Sequence, residues 1–118
     1  MSRGRQAEDA ALAFLTAAGL RLVSRNYRCR VGEIDLVMED GGHLVFVEVR
    51  ARSRERWGTP EETVTFRKQA RLAAAARHFI LAHPTRADRP MRFDVVAISP
   101  GSKDNIRWIR AAFDAPAG

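Results

Sequence analysis

The run Gly32-Glu33-Ile34-Asp35-Leu36-Val37-Met38-Glu39-Asp40-Gly41-Gly42-His43-Leu44-Val45-Phe46-Val47-Glu48-Val49-Arg50 decides how this chain folds. A Gly-Gly pair between two β-rich segments signals a two-residue hairpin loop, because primed turns need positive φ at one or both central positions and glycine supplies it without steric cost. With Gly41 and Gly42 in the loop, Asp40 faces His43 and the register follows: Val37 opposite Phe46, Asp35 opposite Glu48, Glu33 opposite Arg50. One face then carries Ile34, Leu36 and Met38 against Val45, Val47 and Val49. That face is wholly apolar, as a core-covering face must be, and a one-residue slip would spoil the match. The other, polar face sets two carboxylates against each other. Like charges directly opposite destabilise a sheet by up to about 1 kcal/mol. Something should compensate at Asp35 and Glu48, and a divalent cation is the leading candidate.

Upstream of the hairpin, Ala7, Ala10, Ala11, Phe14, Leu15 and Ala18 follow helical spacing, and Gly19 is a C′ stop, which predicts an amphipathic helix over 3–18 with Glu8 near its start. Leu20 to Tyr27 reads as a first strand. Downstream, Arg52 to Gly58 is a polar, Arg-rich connection, and Thr59-Pro60-Glu61-Glu62 makes a capping box with proline at N1. A helix, interrupted near Thr65, follows with the stripe Leu72, Ala75, Ala76, Phe79 and Ile80, ending near His83-Pro84. Residues 85–90 form a loop. Met91 to Ser99 is a strand whose successive Val95, Val96, Ala97 and Ile98 imply burial on both faces. A turn at Pro100-Gly101-Ser102 leads to a last strand, Asn105 to Arg110, and Ala111 to Gly118 is expected to fray. The order α-β-β-β-α-β-β predicts an α/β fold, a mixed sheet flanked by helices.

At 118 residues the chain has room for one domain with a real core, and 46% apolar with 29% charged residues is a globular composition. Met1 to Asp9 is charged and polar, so neither a signal peptide nor a membrane span is expected, and a cytoplasmic location is. The lone Cys29 excludes an internal disulfide and a cysteine-based zinc site, and reads as a half-buried bystander. A formal charge of +6 favours a polyanion as partner.

Asp35 and Glu48 are the residues most able to carry chemistry. Magnesium or manganese takes oxygen ligands, usually one or two carboxylates completed by water and substrate phosphate. The competing account has both acids paired with nearby arginines in a solvated network. Glu33 and Arg50 read as a cross-strand ion pair of little energetic weight. Arg50, Arg52, Arg54 and Arg56 recur every second residue, and Lys68 and Arg71 begin the second long helix. A basic rim beside an acidic pocket suits a phosphodiester, the cations holding the backbone while the acids hold the metal. Trp57 packs under its loop more readily than it stacks on a base. His43, His78 and His83 show no ligand spacing, and there is no Gly-rich phosphate loop, GxSxG elbow or CxxC pair. Asp94, inside an apolar strand, should hydrogen-bond a helix or loop group.

The segments Arg3-Gly4-Arg5-Gln6-Ala7-Glu8, Gly32-Glu33-Ile34-Asp35-Leu36-Val37, Val45-Phe46-Val47-Glu48-Val49-Arg50, Arg67-Lys68-Gln69 and Arg92-Phe93-Asp94-Val95-Val96 resemble the bacterial YraN-like family over nearly the whole chain. That family is similar to the restriction-endonuclease-like, PD-(D/E)xK superfamily, particularly archaeal Holliday junction resolvases. The resemblance implies a single restriction-endonuclease-like domain over 1–118, metal-dependent phosphodiester hydrolysis with Mg2+ or Mn2+, and structured or branched DNA as substrate. It implies Asp35 and Glu48 as metal ligands, Glu8 as the extra acidic residue of the resolvases, and a homodimer by analogy. Arg50, Arg52, Arg54, Lys68 and Arg71 are then the nucleic-acid contacts. One position departs from the pattern: the lysine expected two residues after the second acid is Arg50, which stays charged and can only stabilise charge on the phosphate. Lys68 is a candidate substitute that could reach over the same sheet face. A catalytically inactive nucleic-acid-binding module is also compatible with the change, and a third reading is an interaction protein whose acidic face docks a basic partner.

Overall fold

A computed structural model describes residues 3–51, 64–99 and 106–114. The hairpin forms as its glycines require: β2 (Gly32–Asp40) turns at Gly41, whose φ is +62°, into β3 (His43–Ala51). The pairings Asp40 to His43, Val37 to Phe46 and Leu36 to Val47 are those that the loop dictates. Helix α1 (Arg3–Ala17) stops at Gly19, φ +103°, and β1 (Arg21–Cys29) runs antiparallel to β2. Helix α2 (Phe66–Ala82) crosses from β3 to β4 (Met91–Ile98), and β3 and β4 are parallel, as a helical crossover allows. Antiparallel β5 (Ile106–Phe113) closes a five-stranded mixed sheet in the order β1-β2-β3-β4-β5. No helix among the described residues is long and apolar enough to cross a membrane.

Each face of the sheet is covered by one helix. Ala11 and Leu15 of α1 pack with Leu36, Met38, Val45, Val47 and Val96. Leu72, Ala75, Ala76 and Phe79 of α2 pack with Val37, Phe46, Phe93 and Val95. Val95 and Val96 therefore bury to opposite sides, as their unbroken apolar run implied. Phe46 lies between Phe79 and Phe93, with ring centroids 6.0 and 5.6 Å away. Each such pair adds about 0.5–1.5 kcal/mol beyond area burial.

Three expectations change, and a fourth falls outside the described residues. The hairpin face expected to be polar is roofed by α2, so Glu48 is only 4% exposed. Ile34 joins the α2 cluster, although strict alternation placed it with Leu36. The alternation breaks between them at Asp35, and in β1 the residue between Leu36's partner Arg25 and Ile34's partner Tyr27 is Asn26, at φ +54°. A left-handed residue inside a strand turns the following side chains to the other face. Helix α2 is capped by Thr65, whose Oγ1 accepts the Lys68 N–H at 3.1 Å; the capping box at 59–62, like Arg52, Arg54 and Trp57, lies outside the described residues. Strand β5 continues through Ala111 to Phe113, where the fraying tail was expected to begin. Phe113 stacks on Phe93 at 5.1 Å, and the Ala111 N–H reaches Asp94 at 3.0 Å, which holds those residues in place.

Candidate functional site

Asp35 sits at the end of the β2–β3 ladder, which closes at Leu36 and Val47. Beyond that point its own side chain takes over the pairing: Oδ2 accepts the Val49 N–H at 2.8 Å. This sets its carboxyl beside Glu48, whose charge acts on it. Burial first, and the Glu48 charge second, push the Asp35 carboxyl up to about 7, against the Val49 N–H and the Lys68 ammonium. Two carboxylates in a half-closed space cannot both ionise without a cation between or beside them.

Part of that charge is supplied by the chain. Lys68 Nζ, from the first turn of α2, stands 3.5 Å from Glu48 Oε2, and Arg50 Nη1 stands 3.4 Å from the same oxygen. Both distances are long for charge-assisted hydrogen bonds. The structure thus places Asp35, Glu48, Arg50 and Lys68 together. Glu33 is not a partner in this group; it pairs with Arg28 of β1 at 3.3 Å, because the ladder that would have carried it opposite Arg50 has already ended. Glu8 lies half-buried on α1, the helix over the opposite face of the sheet, and no hydrogen bond or ion pair joins it to Asp35 or Glu48. Among the described residues no three His, Cys, Asp or Glu side chains are grouped to enclose a metal ion. The donor set of the site is two carboxylates, which suits a hard cation that keeps water and substrate oxygens in its remaining positions.

Arg71, one turn after Lys68, lies against the β1–β2 turn. A Cβ on Gly32 would come within 2.8 Å of the Arg71 carbonyl oxygen, so only glycine lets the strand approach the helix backbone this closely. The approach brings Arg28 and Arg30, which flank Cys29, to the same side as Lys68 and Arg71. Neither arginine stood out in the sequence. The signal available was an Arg-x-Arg ending two residues before Gly32, the first residue of β2, and it gains meaning only once α2 packs there.

Asp94 forms a second acidic centre, fully buried and serving the sheet. It accepts from Arg92 Nε at 3.0 Å, Trp108 Nε1 at 2.9 Å and the Ala111 N–H at 3.0 Å. Its partners are strand groups rather than the helix or loop group expected. Ala111 is left-handed, φ +49°, and the β4–β5 register shifts around Asp94, so the carboxylate satisfies an N–H that the bulge takes out of the ladder.

Fold and site together define a small α/β protein with a paired-carboxylate centre at the splayed end of a hairpin, backed by cations from a crossover helix. The chain belongs to the family described as "Uncharacterised protein family UPF0102", whose model matches residues 7–98. It is 52% identical over 115 residues to a UPF0102 protein of Stutzerimonas stutzeri, covering 97% of this chain and 96% of the relative. A UPF0102 protein of Nitrosococcus oceani is 52% identical over 112 residues, covering 94% and 90%. One from Methylococcus capsulatus is 51% identical over 113 residues, covering 95% and 90%. The matched span includes Glu8, both acids, Arg50, Lys68 and Asp94.

Proposed function

We infer that this chain is a metal-dependent nuclease that hydrolyses phosphodiester bonds in structured or branched DNA. The observation that carries the reading is the meeting of Asp35 and Glu48 with two cations, Lys68 and Arg50, gathered on a single Glu48 oxygen. Asp35 and Glu48 would hold Mg2+ or Mn2+, and the ion would supply Lewis-acid polarisation of the phosphate. The part of the cationic Arg50 and Lys68 side chains is to bind non-bridging phosphate oxygens and stabilise the charge that develops there. Hydrolysis adds a water oxygen to phosphorus and breaks the bond to the leaving sugar oxygen, which takes up a proton. The roof of α2 over Glu48 limits how far water screens that carboxylate. The net charge of +6 fits a polyanionic substrate. Glu8 enters this reading only through resemblance, since its helix covers the other face.

The test is incubation with single-stranded, duplex and four-way-junction DNA in Mg2+ or Mn2+, beside Asp35→Asn and Glu48→Gln. Cleavage should fall at least about 100-fold in each variant, the scale of losing a charged group in transition-state stabilisation. Cleavage that survives both substitutions belongs to another site or another protein. Binding without cleavage in either metal favours the inactive nucleic-acid-binding module, for which the specific observation is arginine, not lysine, at position 50.

A further inference from the structure

Beside the carboxylate pair lies a groove of about 310 Å³ between the β1–β2 turn and the first turns of α2. Arg28, Arg30, Lys68 and Arg71 line it against one carboxylate, Glu33. Glu33 is taken by Arg28, and among the described residues no carboxylate pairs with Arg30 or Arg71. The groove is therefore strongly cationic, and its cations sit on two elements whose separation is set by the missing side chain of Gly32. It is also continuous with the candidate site, because Lys68 lines it while reaching Glu48 at 3.5 Å. The wall is not wholly polar: Val31, at the turn, is 50% exposed and contributes apolar surface. Such a volume is at the lower end for small-ligand clefts, about 300–1,000 Å³. That suits one strand unit better than a duplex.

We propose that this groove holds the nucleotide adjoining the cut phosphate, with Arg28, Arg30 and Arg71 on its phosphate oxygens and Val31 against its sugar or base. The assignment rests on the nuclease reading for the word "cut", and its test does not depend on cleavage. Lys68 is then the hinge of the arrangement, facing the bound phosphate on one side and Glu48 on the other.

The experiment uses a labelled 12-nucleotide single strand in EDTA, so that no metal and no hydrolysis contribute. Arg28→Glu with Arg30→Glu should weaken binding at least tenfold at low salt. It should also flatten the log-affinity against log-salt slope by about 1.4, since each lost phosphate contact on a single strand removes about 0.7. Both arginines are exposed, and an unchanged unfolding midpoint confirms that the variant folds. The same charge change on the outer-edge strand, Arg107→Glu with Arg110→Glu, should cost less than threefold. Cys29, the chain's single cysteine, also lines the groove, and the oligonucleotide should slow its reaction with a disulfide reagent. Absence of binding, equal losses in the two double variants, or a bound strand that leaves Cys29 reacting at its free rate would each overturn the proposal. The nuclease reading fails separately, on cleavage that ignores Asp35→Asn and Glu48→Gln.

Discussion

Asp94 and Asp35 are both acids on core strands beside β3, and the protein treats them oppositely. Asp94 is 0% exposed and accepts hydrogen bonds from three residues, Arg92, Trp108 and Ala111; Arg92 also donates to Asp40 at 2.8 Å and holds that carboxyl below its ordinary range. Asp35 accepts one backbone N–H and faces another acid. Glu39, buried like Asp94, resembles the first case: Arg21 pairs with it at 2.7 Å, Arg89 donates to it, and Arg86 stands at 3.8 Å. A buried acid surrounded by donors is part of the scaffold. A buried acid set against a second acid leaves room for a cation from outside.

The comparison breaks most sharply at Asp94. Asp94→Ala leaves the Arg92 Nε–H, the indole N–H and the Ala111 N–H without their acceptor, and should cost about 3–5 kcal/mol of stability in urea unfolding. A loss under 1 kcal/mol would show that water replaces the carboxylate and that Asp94 is no scaffold group.

At the other centre, 10 mM Mg2+ at pH 8 should stabilise the native protein by roughly 1–3 kcal/mol, as expected for a dissociation constant of about 0.1–1 mM. Asp35→Asn should abolish that gain. Because burial and the Glu48 charge push the Asp35 carboxyl up to about 7, metal binding below that pH must release its proton. Titrations should therefore show affinity rising with pH up to about 7 and levelling above it; a flat profile would remove Asp35 from the ligand set.

The pH dependence without metal gives a smaller effect of opposite sign to Asp94→Ala. An acid whose folded pKa lies above its unfolded value contributes stability that is present below about 4 and is lost as pH rises toward 7. Asp35→Asn should thus stabilise the metal-free protein by about 1–2 kcal/mol at pH 8. The advantage should fade as pH drops toward 4, measured as the difference between the two unfolding curves. Smallest of all, Glu33→Gln should change stability by less than about 0.5 kcal/mol, because its pair with Arg28 is solvent-screened, the side chains being 53% and 75% exposed.

Much of this architecture was legible from residue order. Gly41-Gly42 set the hairpin register down to Leu36 and Val47, and the unbroken Val95-Val96 run marked a strand buried on both sides. What misled was the assumption of strict alternation. It carried Ile34 to the wrong face and Glu33 to the wrong partner, because the ladder ends and the chain turns over at Asn26 and Asp35. Strand β5 was read short because the groups that hold its end, Phe93 and Asp94, belong to a different strand.

The residue order by itself determined the hairpin register from Asp40 and His43 to Leu36 and Val47, since a two-residue loop fixes which residues pair. It also determined the family, through motifs that span the chain. Only the tertiary structure decided that the acidic face is roofed, that Lys68 reaches Glu48, and that Arg28 and Arg30 meet Arg71 across Gly32. Those are contacts between elements far apart in sequence, and they depend on how closely α2 can approach the sheet. That distance is a property of packed volumes, such as the absent side chain of Gly32, rather than of any local pattern.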